Sequence, residues 1–187
     1  MSSQKIVFLG PPGSGKGTQA QRLAAELGIP AISTGEMLRT AVEDGSELGR
    51  RVQGVMERGE LVSDELMAEV VRDRLARPDA EHGFLLDGYP RTAPQADTLD
   101  GILKERSGDL DHVIYLEVPA AELVDRMLSR GRTDDTEEAV RERLRVYRSA
   151  TEPLVERYRV SGVLREIDGD RSIEQVEESI LAAVSVS

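Results

Sequence analysis

Nine residues near the start of the chain, Gly10-Pro11-Pro12-Gly13-Ser14-Gly15-Lys16-Gly17-Thr18, have the types and spacing of an anion cradle. Glycines let a backbone turn tightly and bring its N–H groups close to a ligand. A helix opening straight after such a loop adds unpaired N–H groups and a partial positive charge. Lys16 supplies a mobile full charge for outer phosphates. The run matches Gly-x-x-x-x-Gly-Lys, and the chemistry it implies is the holding of a nucleoside triphosphate. There is one departure: Gly17 follows the lysine and the hydroxyl comes a place later, at Thr18, which weakens assignment of that hydroxyl to bound Mg²⁺. A dinucleotide fingerprint is excluded, because Thr18 stands where its third glycine belongs.

Other groups able to act on phosphate are scattered along the chain. Asp87 ends the apolar run Phe84-Leu85-Leu86, the position where α/β sheets bind ligands, although an aspartate before Gly88 also suits a plain turn. Six arginines lie between positions 130 and 148, readable as phosphate-gripping forks or as a solvated helix face. Only Lys5, Lys16 and Lys104 are lysines, so the other 21 basic residues are arginines. Codon usage or design, and selection for planar forks, both account for that bias. No guanine-reading Asn-Lys-x-Asp occurs, which argues against a GTPase. The absence of cysteine removes disulfides, a cysteine zinc site and a thiol nucleophile together. His82 and His112, thirty residues apart, cannot form a helical metal pair and read as a loop and a strand-start residue.

Short apolar runs must hold these groups in place. Ile6–Leu9, 31–33, 84–86, 112–116 and 163–167 read as strands, near-continuously apolar and so buried on both faces. Amphipathic stretches between them predict helices over 18–27, 35–44, 47–57, 64–76, 93–106, 120–129, 136–160 and 173–184, with Pro153 kinking or restarting the long one. Ser172 and Gln175 form a capping box for the last. This alternation predicts one α/β domain over 1–187: a five-stranded parallel sheet of the phosphate-loop NTPase type, helices on both faces.

With 187 residues and a formal charge of −11, the chain is unlike a broad nucleic-acid binder, which carries a basic stripe. The opening Met-Ser-Ser-Gln-Lys leads into a short apolar run, neither a secretory signal nor a membrane span, so a cytoplasmic protein with no membrane partner is expected. No apolar stripe stands out beyond the core, and a monomer is the default.

Three further stretches, Ser33-Thr34-Gly35-Glu36-Met37-Leu38-Arg39, Asp87-Gly88-Tyr89-Pro90-Arg91 and Gly131-Arg132-Thr133-Asp134-Asp135, stand in order behind the phosphate loop. Together the four resemble the adenylate kinase family of nucleoside monophosphate kinases, from Lys5 to the final helix. The resemblance implies a core with two mobile insertions: a monophosphate-binding part over 34–63 and a short lid over 131–141. Long-lid relatives carry roughly 30 further lid residues, sometimes around zinc; none is expected here. It further implies reversible transfer from ATP to AMP giving two ADP, with Mg²⁺ arriving on ATP and held mainly through nucleotide and water.

Residue by residue, the resemblance puts Gly13, Ser14, Gly15, Lys16, Gly17 and Thr18 around the ATP phosphates. Arg39 and Arg91 clamp the monophosphate beside Gly88, Tyr89 and Pro90. Arg130, Arg132 and Arg143 are lid arginines that meet the transition-state charge, and Asp87 orients Mg²⁺ through water. Asp134 and Asp135 are either helix N-terminal acids or partners of those arginines. Thr34 and Gln95 stand where adenylate kinases contact the AMP base, whereas UMP/CMP kinases usually have alanine and asparagine. Taken alone, Thr34 also reads as an N-cap, and Gln95 as a capping-box partner of Thr92. Backbone contacts to that base fall on Glu60, Leu61 and Val62. The ATP base falls near Asp168–Ser172, with Arg171 where many relatives have glycine. A UMP/CMP kinase, a non-catalytic nucleotide sensor and an ATPase are the rival readings. Two anionic substrates on an acidic chain require a locally positive cleft and a rate sensitive to ionic strength.

Overall fold

The computed structural model describes residues 4–106 and 108–185. Strands β1 (Lys5–Leu9), β2 (Ala31–Ser33), β3 (Phe84–Asp87), β4 (His112–Glu117) and β5 (Leu164–Asp168) form one parallel sheet in the order β2-β3-β1-β4-β5. Successive side chains of a strand point to opposite faces, and in the central strands β1, β3 and β4 both faces are largely dry. Ile6, Phe8, Leu85, Ile114 and Leu116 pack on one side against Leu23 of α1 (Lys16–Leu27) and Ile180 of α9 (Ile173–Ser185). Val7, Leu9, Leu86 and Val113 pack on the other with Leu99 and Leu103 of α5 (Ala93–Glu105) and Leu154 of α8 (Pro153–Val160). This explains why the central strands read as apolar runs with no polar alternation, whereas the edge strand β5 carries Arg165, Glu166 and Asp168.

Between β2 and β3 the chain forms α2 (Thr34–Glu43), α3 (Glu47–Glu57) and α4 (Asp64–Leu75). Between β4 and β5 come α6 (Ala120–Ser129) and α7 (Glu137–Val146), which share a small core of Leu123, Met127, Val140 and Leu144. The expected helix over 136–160 is not continuous. α7 ends at Val146, a π-helical turn occupies Tyr147–Thr151, and α8 begins at Pro153. Proline lacks an N–H and its ring crowds the preceding turn; the Glu152 N–H then reaches back five residues to the Tyr147 carbonyl at 2.8 Å. No helix among the described residues is long and apolar enough to cross a membrane.

Candidate active site

The sheet order reverses direction around β1, whose carboxyl end lies between those of β3 and β4. Open α/β sheets leave a crevice at such a point. Here it is a cleft of about 940 Å³, at the large end of the roughly 300–1,000 Å³ typical for a single small ligand.

The phosphate loop forms one wall. Gly15 sits at φ 91° and turns the chain into α1 with no side chain capping the helix start, so its first N–H groups stay available to an anion. The left-handed turn brings Lys16 and Gly17 into the helix, two residues before the periodicity alone placed its start. Lys16 Nζ donates to the carbonyls of Gly10 and Pro11 at 2.8 Å each and lies 3.4 Å from Ser14 Oγ. Burial lowers the Lys16 ammonium to about 8; Asp87 opposes that shift, and Arg91, Arg130 and Arg132 add to it. Ser14 is itself buried behind the loop, outside the cleft wall. A Cβ at Gly17 would stand 3.5 Å from Asp87 Oδ2. The bare helix face at 17 therefore opens directly onto the carboxylate that ends β3, while Thr18 lines the cleft one place on.

Five arginines converge on the same space. Arg39, Arg91, Arg130, Arg132 and Arg143 all line the cleft. Burial lowers the Arg91 guanidinium; Asp87 opposes this, and Arg143 and Arg39 reinforce it. Burial likewise lowers Arg132, helped by Arg130 and Arg39 and countered by Asp135 and Asp134. Guanidinium stays protonated regardless, so the cluster is a concentrated positive field on a chain of charge −11. Arg91 is fixed by its Nε donating to the Gly88 carbonyl at 2.7 Å, and its own carbonyl accepts from the Thr151 hydroxyl at 2.8 Å.

Asp134 and Asp135 settle into the second of their two readings. Thr136 is the N-cap of α7, its side chain accepting from Ala139 N–H, and the acids of the first turn are Glu137 and Glu138. Asp135, 1% exposed in its side chain, pairs with Arg130 and Arg143, and Asp134 pairs with Arg143. Burial works against the Asp135 charge, but Arg130, Arg143 and Arg132 outweigh it and hold the carboxyl below its usual value. Arg143 also reaches the Met56 carbonyl at 3.4 Å, linking α7 to the end of α3.

A buried polar pocket opens beside Arg91. Ser33, not Thr34, caps α2 by accepting from Glu36 N–H. Thr34 is 1% exposed and donates instead to the Gly88 carbonyl at 3.0 Å. Gln95, 2% exposed, accepts from Arg91 N–H at 2.7 Å. The Thr92 hydroxyl does cap α5, accepting from Gln95 N–H at 3.2 Å, but the Gln95 side chain bonds one residue beyond the reciprocal capping position. Glu60, Leu61 and Val62 line the cleft on the facing side, with Gly88 and Pro90 on the near one.

Besides Ser14, two expected residues lie elsewhere. Arg171 turns away from the cleft and pairs with Asp168 at 2.8 Å, because the short turn puts a carboxylate three residues before it. Tyr89 is wholly buried in the core and does not line the cleft, whereas its neighbours Gly88 and Pro90 do. The sequence reading missed Arg126, which lines the cleft and bonds Asp170 at 3.0 Å and Glu122. Its signal was the four-residue spacing to Arg130 along α6. Among the described residues no three His, Asp or Glu side chains gather as a metal cage. A lone carboxylate facing the phosphate loop suits Mg²⁺, which keeps several waters and is bound through substrate phosphates.

The family model described as adenylate kinase matches residues 8–163. A protein named adenylate kinase from Archaeoglobus fulgidus is 45% identical, over 95% of this chain and 96% of its own length. Proteins of the same name from Stenotrophomonas maltophilia and Synechococcus sp. RCC307 are 48% and 49% identical, the alignments covering 96% and 98% of this chain and 98% and 100% of theirs.

Proposed function

The chain belongs to the adenylate kinase family, and we propose that its cleft moves the terminal phosphoryl group of ATP directly onto AMP, giving two ADP, reversibly. The observation that carries this reading is that one cleft is lined by the phosphate loop, by Thr34 and Gln95, and by six arginines. Transfer between two polyanions needs their repulsion cancelled, the reacting oxygen and phosphorus in line, and water excluded. A general base is unnecessary, because a phosphate monoester with a second pKa near 6 is already ionised at neutral pH.

The α1 N-terminus and Lys16 grip the ATP phosphates, with Arg126 bounding the side toward Asp168–Ser172. Thr34, Gln95 and the backbone of 60–62 hold the AMP base, and Arg39 and Arg91 hold its phosphate. An AMP phosphate oxygen bonds to the terminal phosphorus of ATP as the bond to the β-phosphate oxygen breaks, and the electron pair leaves on ADP. Arg130, Arg132, Arg143 and Lys16 meet the charge spread over the moving group. Bound with ATP, Mg²⁺ neutralises phosphate charge, and Asp87 is the carboxylate placed to orient its water shell. Residues 34–63 form the monophosphate-binding part, residues 131–141 a short lid, and all the groups named come from one chain acting as a monomer.

Initial rates with Mg²⁺-ATP against AMP, UMP, CMP and GMP, beside a Lys16→Ala control, test the reading. A strong AMP preference that the control abolishes is expected. A pyrimidine preference would leave the fold intact and overturn the roles of Thr34 and Gln95.

A further inference from the structure

The amide of Gln95 is held so that it can face only one way. Its Oε1 accepts from the Arg91 N–H at 2.7 Å, and its Nε2 donates to Asp64 Oδ1 at 2.9 Å. A backbone N–H only donates and a carboxylate oxygen accepts. Turning the amide over would set donor against donor and acceptor against acceptor. With Gln95 only 2% exposed, no solvent relieves either clash. The same Asp64 oxygen accepts from the Thr92 hydroxyl at 2.9 Å, and that hydroxyl accepts from Gln95 N–H at 3.2 Å. One carboxylate at the start of α4 thus fixes both the cap and the side chain that opens α5.

We propose that Asp64 is a positioning residue that sets base specificity by locking the Gln95 amide. This rests on the reading of Gln95 as a contact to the acceptor base. Once its two structural bonds are made, the amide retains one lone pair on Oε1 and one N–H on Nε2. Gln95 lines the cleft, so an incoming base meets that acceptor–donor edge. A 6-aminopurine answers it with an amino donor and the N1 acceptor. A 6-oxopurine presents the reverse order and would leave both groups opposed to their like. Without Asp64 only the Arg91 N–H holds the amide, and the rejection of the oxo base weakens.

Asp64 also stands in the first turn of α4, where an acid favours the helix start. The test must separate these roles. The ratio of kcat/KM for AMP to that for IMP is measured in the wild type, Asp64→Ala and Asp64→Asn, together with melting temperature. Asparagine keeps an oxygen acceptor in place and loses the charge; alanine loses both. The proposal expects the ratio to fall about tenfold in Asp64→Ala and to stay within about twofold of wild type in Asp64→Asn. Should the alanine protein fail to fold, Asp64→Leu removes the acceptor with a better-packed side chain. An unchanged ratio in the acceptor-free variant, or an equal loss in Asp64→Asn, overturns the proposal while leaving AMP as the acceptor. A wild type that prefers pyrimidine monophosphates overturns the Gln95 reading itself, and the proposal with it.

Discussion

Nucleotide binding should draw a proton onto Lys16. In the empty cleft, burial holds the ammonium at about 8, with Arg91, Arg130 and Arg132 pressing the same way against the single opposing charge of Asp87. A polyphosphate beside Nζ reverses the balance and returns the group to its ordinary range above 10. Uptake is then about 0.1 proton at pH 7, about 0.5 at pH 8 and about 0.9 at pH 9. Affinity should weaken by about twofold at pH 8 and about tenfold at pH 9 relative to neutral pH, since the charged lysine must first be restored. The terminal phosphate of ADP, with a second pKa near 6, is about 10% protonated at pH 7 but only about 1% at pH 8, so the signal from pH 8 upward belongs to Lys16. Titration calorimetry of ADP in buffers of different ionisation enthalpy reads the proton count directly, and Lys16→Met should erase it. For the empty protein the sign is opposite to that of a paired lysine. The unfolded chain binds the extra proton between pH 8 and 10.5, so stability rises with pH through that interval. No uptake at pH 8 to 9, or equal uptake in Lys16→Met, would refute the burial argument.

Three other outcomes follow from the same geometry. Asp135→Asn removes the charge from a carboxylate that is 1% exposed and shared by Arg130 and Arg143, at a cost of about 3–5 kcal/mol and a melting point lowered by about 6–20 °C. Because the folded Asp135 carboxyl lies below 3.8, the difference is full above that pH and fades as pH falls through the folded value; thermal melts from pH 7 down to about 2 check it. Thr34→Val deletes a buried donor to the Gly88 carbonyl, and kcat/KM for AMP should drop about tenfold relative to UMP in a competition assay. Six arginines in one cleft on a chain of charge −11 make encounter sensitive to screening, so kcat/KM should fall several-fold between low salt and about 0.5 M; a flat salt profile would contradict focusing by the cleft.

Much of the architecture was legible because the strands are short continuous apolar runs while the helices are longer and amphipathic, with glycine, proline or a capping residue at many of the boundaries. The phosphate loop and its lysine were legible for the same reason: strand, loop and helix are contiguous in sequence. What was not legible depends on choices between neighbours that only packing decides. Ser33 and Thr34 both suit an N-cap, and the chain gives the cap to Ser33 because Thr34 is needed against the Gly88 carbonyl across the sheet. Arg171 suited a role near the Asp168 turn, but a carboxylate three residues away captures it; Arg126, paired with Asp170 of that turn, lines the cleft instead. Asp134 and Asp135 precede a threonine that caps α7 better than either, so they were free to be buried against arginines. The π-helical turn at Tyr147–Thr151 was the least foreseeable element, since a proline announces an interruption without saying which ladder closes around it. The role of Asp64 was equally hidden: nothing in the spacing from 64 to 95 shows that one carboxylate meets both Thr92 and Gln95.

Two nucleotides meeting in one cleft should exchange a phosphoryl group without losing it to water. The most direct measurement is product stoichiometry by ³¹P NMR or chromatography, with ATP and carbon-labelled AMP at equal concentration. The account predicts two ADP for every ATP consumed, label in half of the ADP formed, and no free phosphate. One ADP and one free phosphate per ATP, with the labelled AMP untouched, would contradict it.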